Sequence, residues 1–101
     1  MMTTRPHFLA LLTFAPDDQG SRTPASSGHR AELKFSFAQT LVMSSLNFVD
    51  VELVFPGDTV SAEITLLNAD AVVESIYEGM DFELIQGSVS IGTGVIKKLL
   101  S

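Results

Sequence analysis

Imidazole is the natural starting point for chemistry, and the chain carries two, His7 and His29. Asp17 and Asp18 lie near them in sequence, which would suit a metal ion. However, no H-x-x-x-H or comparable spacing sets two imidazoles on one face, so a structural role is expected for both. The acid pairs Asp17/Asp18 and Asp50/Glu52 have the groups that general acid–base work requires. Adjacent acids on a loop, and alternate acids on one strand face, are more commonly just solvated. Cysteine is absent, which removes disulfides, thiolate metal ligands and thiol nucleophiles together.

The glycines match no catalytic or nucleotide motif. Gly87-Ser88-Val89-Ser90-Ile91-Gly92 does not fit the G-x-S-x-G nucleophile elbow, its serines standing at 88 and 90. Gly92-Thr93-Gly94 would need a third glycine at the position of Lys97 to make a dinucleotide fingerprint. The same lysine is not in a G-x-x-x-x-G-K-[ST] frame, so no phosphate loop is expected. Gly92 and Gly94 read instead as strand positions where a bulge forms or another backbone comes close. The chain is therefore read as a non-enzyme with no cofactor, no bound nucleotide and no metal. Two arginines remain, in Gly20-Ser21-Arg22-Thr23-Pro24 and Gly28-His29-Arg30. A guanidinium offers paired donors in a fixed fork and suits phosphate or carboxylate. Pairing with the chain's own acids accounts for them equally well, and the residues alone leave both readings open.

Charge limits the partners. Twelve acids against six bases give a net charge of −6 and a pI near 4.6, so no global positive field gathers nucleic acid. Residues 1–40 sum to +1, whereas residues 41–96 hold nine acids and no base before Lys97 and Lys98. A polyanion could touch only the first part or the last few residues, and the middle should repel it. With 46% hydrophobic and 18% charged residues, disorder is excluded as the main state, and one domain, residues 1–101, with a modest core is expected. Residues 1–5 are expected to be a flexible start. The apolar run Phe8–Ala15 after Arg5 resembles a very short signal peptide. Pro6, His7 and the lack of a small-residue cleavage site favour a buried first strand instead. No run approaches the ~20 residues of a membrane span, so no membrane partner and a cytoplasmic location are expected.

The elements that would position these residues are strands. The first is expected over about His7–Ala15, followed by a loop over Pro16–Arg30 rich in Gly, Pro and Ser. Such a long loop without periodicity is more often functional than average. Leu33, Phe35 and Phe37 alternate with Lys34, Ser36 and Ala38, predicting a half-buried strand. A third runs over Thr40–Leu46, with Ser44-Ser45 as a possible bulge. Phe48, Val49, Val51, Leu53 and Phe55 interleave with Asp50 and Glu52, fitting a strand or an extended loop. Pro56-Gly57-Asp58 makes a tight turn, and Val60, Ala62, Ile64 and Leu66 form the clearest strand. Ala69–Tyr77 fits one helical turn or a further strand. After a turn at Glu78-Gly79 come Met80, Phe82 and Leu84. Gln86-Gly87-Ser88 signals a hairpin, and Val89, Ile91, Thr93 and Val95 lead into Lys97-Lys98. Short strands at this spacing predict an all-β fold, a closed barrel or small sandwich.

In order, these segments resemble the C-terminal β-barrel, domain III, of elongation factor Tu. That family shows G-G-R-x-T-P, then G-Y-R-P, a later M-P-G-D turn and a closing G-x-R-F-x-x-R-E-G-x-R-T-V-G-x-G-V-V. The corresponding stretches are Gly20-Ser21-Arg22-Thr23-Pro24, Gly28-His29-Arg30, Phe55-Pro56-Gly57-Asp58, and Gly79-Met80-Asp81-Phe82 through Gly92-Thr93-Gly94-Val95-Ile96. The resemblance spans nearly the whole chain and implies a single six-stranded antiparallel closed barrel. In the family this barrel packs on a GTPase domain and a second barrel and contacts the T-stem of aminoacyl-tRNA. No segment here corresponds to either partner domain. Arg30 matches the family's loop arginine near the tRNA backbone, but His29 replaces its Tyr, and Asp81, Ile85 and Val89 stand where the family has Arg.

The expected role is thus a free-standing, non-catalytic barrel that binds another protein or itself. The Met1-Met2 start and the ending just past the family's last strand favour a complete chain. The alternative is translation-related binding of tRNA or a ribonucleoprotein through Arg22, His29, Arg30, Lys97 and Lys98, weakened by the lost bases.

Overall fold

Alternation along the chain carries through to burial. In a computed structural model, which describes residues 6–16, 25–26, 28–37, 41–67, 72 and 74–100, strand β1 (Phe8–Phe14) buries Phe8, Ala10, Leu12 and Phe14 and turns Leu9, Leu11 and Thr13 outward. The apolar run after Arg5 is thus a core strand. β3 (His29–Lys34) buries Ala31 and Leu33, β4 (Val42–Phe48) buries Val42, Ser44, Leu46 and Phe48, and β6 (Thr59–Leu66) buries Ala62, Ile64 and Leu66. β7 (Asp81–Gln86) contributes Phe82 and Leu84, and β8 (Val89–Leu99) contributes Ile91 and Ile96. These six strands close a barrel in the order β1-β6-β4-β3-β7-β8, every neighbouring pair antiparallel. Two short strands, β2 (Ala25–Ser26) and β5 (Leu53–Val54), pair as a separate ribbon. The fold is all-β, as expected, and closure leaves the barrel no free edge along its paired length.

Register defines two ends. Phe14 pairs with Gly92, and the Gly57 N–H donates to the Phe14 carbonyl. The connection between β4 and β6 and the β7–β8 hairpin therefore lie at one end, termed upper. Phe8 pairs with Leu99 and Ile64, so the β3–β4 and β6–β7 connections and residues after β8 lie at the lower end. Across the seven residues of β1 the ends are about 20 Å apart, at ~3.4 Å per residue.

Aromatic rings fill both halves of the core. Phe82 meets Phe8 at 5.8 Å and Phe35 at 5.6 Å between centroids, and Phe14 meets Phe48 at 6.1 Å. Such pairs each add about 0.5–1.5 kcal/mol beyond the area they bury. The ring density needs small partners, and β8 supplies them. A Cβ at Gly92 would lie 2.4 Å from the Thr13 carbonyl oxygen, and one at Gly94 would lie 2.5 Å from Cζ of Phe82. Both glycines permit close approach, to backbone at Gly92 and to side chains at Gly94. Leu84 pairs with Gly92 but Ile85 pairs with Ser90, leaving Ile91 as the extra residue of a bulge.

Several local expectations shift. The stretch expected as a loop through Arg30 instead contains β2, and β3 begins at His29. The period-two order of His29, Ala31 and Leu33 against Arg30, Glu32 and Lys34 continues the strand upstream, where polar residues hid it. The same strand ends at Lys34, and Ser36 and Phe37 form a turn. Ser44-Ser45 is no bulge: the Ser44 hydroxyl is fully buried and donates to the Ala31 carbonyl at 2.9 Å. The expected turns hold. Asp58 N–H donates to the Phe55 carbonyl at 3.0 Å with Gly57 at φ 91°, while Gly87 and Ser88, at φ 59° and 69°, form the two-residue hairpin loop. The alternatives for Ala69–Tyr77 fall partly outside the described residues; within them, residues 74–77 form no strand and Ser75 N–H donates to the Val72 carbonyl.

Candidate functional site

The described basic residues do not gather into one site. Arg22 lies outside the described residues. His29 and Arg30 are successive residues of β3, so they face opposite sides of the barrel wall. The Arg30 side chain is exposed and sits across from Ser45 on β4. His29, across from Leu46, is partly buried, and its Nε2 atom is fully buried without a hydrogen-bond partner. Lys97 and Lys98 are exposed at the lower end of β8, where Lys98 pairs with Leu9. Strand β7 stands between β3 and β8, so Arg30 and the lysine pair differ in both height and direction. Of the bases, only Lys34 shares the outer face of β3 with Arg30.

The acids fill the gap between them. Glu83 pairs with Lys34 on one side and Thr93 on the other, and Asp81 pairs with Val95. Where β3 turns away from β7, a surface groove of about 480 Å³ opens, lined by Lys34, Ser36, Asp81, Glu83, Thr93 and Val95 among others. One ammonium against two carboxylates makes it unfavourable for a phosphate. Asp81 is one of those carboxylates. Asp50 and Glu52 are exposed in the bends between β4 and β5, not on a strand face. Asp17 and Asp18 lie outside the described residues. His7 has a structural partner: its Nδ1 accepts the Leu66 N–H at 3.0 Å, which places the ring proton of the neutral imidazole on Nε2.

The most distinctive surface is apolar, and the pattern of the sequence concealed it. Val51, Leu53 and Phe55 recur at every second position beside Asp50 and Glu52, as if one side were buried. Yet Val54 is the residue turned into the core, at 1% exposure, while Leu53 and Phe55 are 50% and 51% exposed. Asp50, at φ 69°, turns the chain after β4, yet the even-numbered positions that face inward in β4 still do so at Val54. This apolar ridge is flanked by Asp50, Glu52 and Asp58, all exposed. At the lower end Tyr77 is 60% exposed, and Leu99 and Leu100 are also exposed. Only the clustering of exposed apolar groups, which depends on the tertiary fold, marks these as candidate contact surfaces.

The fold and its surfaces define a closed six-stranded antiparallel barrel with apolar groups exposed at both ends. No family model matches the chain. Among the described residues no helix is long and apolar enough to cross a membrane.

Proposed function

We propose that the chain is a barrel of the elongation factor Tu domain III type that acts as a non-catalytic protein-interaction module. The observation that carries this reading is the exposure of Leu53 and Phe55 at one end of the barrel and Tyr77 at the other, each at least half exposed. Burying such a side chain gains about 1.5–3 kcal/mol, and a fold that needs none of the three for its core leaves them available to a partner. The order of the turns and the closing glycine-rich strand support the relationship to domain III. In that family the barrel works by packing against other protein domains, which is the role retained here. Translation-related binding of tRNA has less support, because Arg30 is separated from Lys97 and Lys98 and the intervening wall carries Asp81 and Glu83.

The test is affinity capture with the wild-type chain beside a Leu53→Asp/Phe55→Asp variant and a Tyr77→Asp variant, each first checked for its β-sheet circular dichroism. A partner, or further copies of the chain, retained by the wild type and lost from at least one folded variant is the expected result. Identical recovery on all three, or none on any with a monomer by light scattering, would refute the reading.

A further inference from the structure

We propose that the chain assembles head to tail with further copies of itself. The acidic, apolar ridge Asp50–Phe55 at the upper end of one barrel receives the basic, apolar lip Lys97–Leu100 at the lower end of the next. This deepens the proposed interaction role and rests on it.

Charge and shape argue for the second copy as occupant. The ridge presents exposed Val51, Leu53 and Phe55 among exposed Asp50 and Glu52, and residues 41–96 contain no base to neutralise them. It therefore suits a surface that pairs ammonium groups with apolar side chains. The lip is such a surface: Lys97 and Lys98 are followed at once by Leu99 and Leu100, all four exposed. It is also held in shape. Strand β8 outlasts β7, whose last partner on it is Val95, and continues along β1 to Leu99. Beyond that point the Leu100 N–H donates to the His7 carbonyl on one side, and the Leu99 N–H donates to the Glu78 carboxylate at 3.2 Å on the other. That bond gives the Glu78 carboxylate a partner on the lip itself; Glu74 is a further exposed acid in the same β6–β7 connection.

The two surfaces sit at opposite ends of β1, about 20 Å apart, so one molecule cannot bring its own together. Contact of unlike surfaces is heterologous, and unless the rotation closes a ring it propagates beyond a dimer. Opposite charges at the rim should speed and orient the encounter, and salt should weaken it.

Sedimentation velocity of the full chain at low and high salt, over a range of concentrations, reads this directly. The wild type should form species larger than a dimer at low salt and revert towards monomer at high salt. Asp50→Lys/Glu52→Lys puts lysines on both the ridge and the lip, and Lys97→Glu/Lys98→Glu puts acids on both. Each should lower self-association about tenfold, which corresponds to ~1.4 kcal/mol. Mixing the two variants should restore it, because each then offers the end the other lacks. All substitutions are on exposed side chains, and circular dichroism checks that the variants fold. A wild type that stays monomeric at low salt overturns the inference, as does a mixture no more associated than its parts. Association that survives both charge reversals but is lost in Leu53→Asp/Phe55→Asp also overturns it in favour of a symmetric ridge-to-ridge dimer. That last result would leave the interaction role standing, so the two failures are distinguishable.

Discussion

Gly94 is the position where a single methyl group tests the packing of the whole barrel. It faces Phe82 across the β7–β8 ladder and Leu12 across the β1–β8 ladder. A Cβ there would lie 2.5 and 2.7 Å from Cζ and Cε1 of Phe82 and 2.7 Å from Cδ2 of Leu12, against an optimum of about 3.5–4.0 Å between carbons. The ring cannot swing aside freely, because Phe8 and Phe35 hold it at centroid distances of 5.8 and 5.6 Å. Overpacking costs typically about 1–3 kcal/mol, and three contacts short by roughly 1 Å place Gly94→Ala at the upper end, about 3 kcal/mol. The smaller unfolded-state entropy of alanine returns about 0.5–1 kcal/mol of that, leaving about 2–2.5 kcal/mol. At about 4–8 °C per kcal/mol for a domain of this size, Tm should fall by about 8–20 °C. Urea unfolding of Gly94→Ala, Phe82→Leu and the double variant separates the clash from other causes. Removing the ring vacates the space the new methyl needs, so the double variant should be about 1–2 kcal/mol more stable than the two single losses added together. Additive losses, or a Gly94→Ala change below about 0.5 kcal/mol, would refute the steric account and with it the reason for glycine on this strand.

Other positions give sharper local readings. Gly79→Ala meets no atom within 4 Å but must hold φ at 93°, so thermal unfolding should show a loss of about 1–2 kcal/mol from backbone strain alone. Ser44→Ala removes the buried donor to the Ala31 carbonyl and should cost about 1 kcal/mol in urea unfolding, with the m-value unchanged. His7→Phe leaves the Leu66 N–H without its acceptor; a loss of about 1–3 kcal/mol is expected, and faster amide exchange at Leu66 by NMR would locate it. A titration of labelled aminoacyl-tRNA at low salt should show no steep salt-dependent binding, because the described bases are divided between two parts of the surface; tight binding that weakens with salt and is lost in Arg30→Ala would reverse that conclusion.

Much of the barrel was legible because its determinants are local. A period-two pattern names the inward face of β1 and β6 without reference to any partner, and Pro56-Gly57-Asp58 and Gly87-Ser88 specify their turns through φ alone. The resemblance to domain III predicted the number of strands and their closure. The extent of β3 was hidden because His29, Arg30 and Glu32 are polar, and their strand geometry comes from pairing with β4 and β7 rather than from propensity. Ser44 looked like a break because a serine reveals nothing in sequence of the carbonyl that satisfies it. The candidate surfaces depended still more on distant residues. Arg30, Lys97 and Lys98 could be read as one basic site until closure placed β7 between their strands. Val51, Leu53 and Phe55 could be read as core until the fold put Val54 in the inward place, on the same parity as the buried residues of β4. The sequence by itself determined which residues alternate, where the chain reverses and the sign of its charge, since these follow from each residue and its immediate neighbours. Which alternate face is buried, and which charges and apolar groups share a surface, only the tertiary structure decided, because a closed sheet brings together residues far apart in the chain.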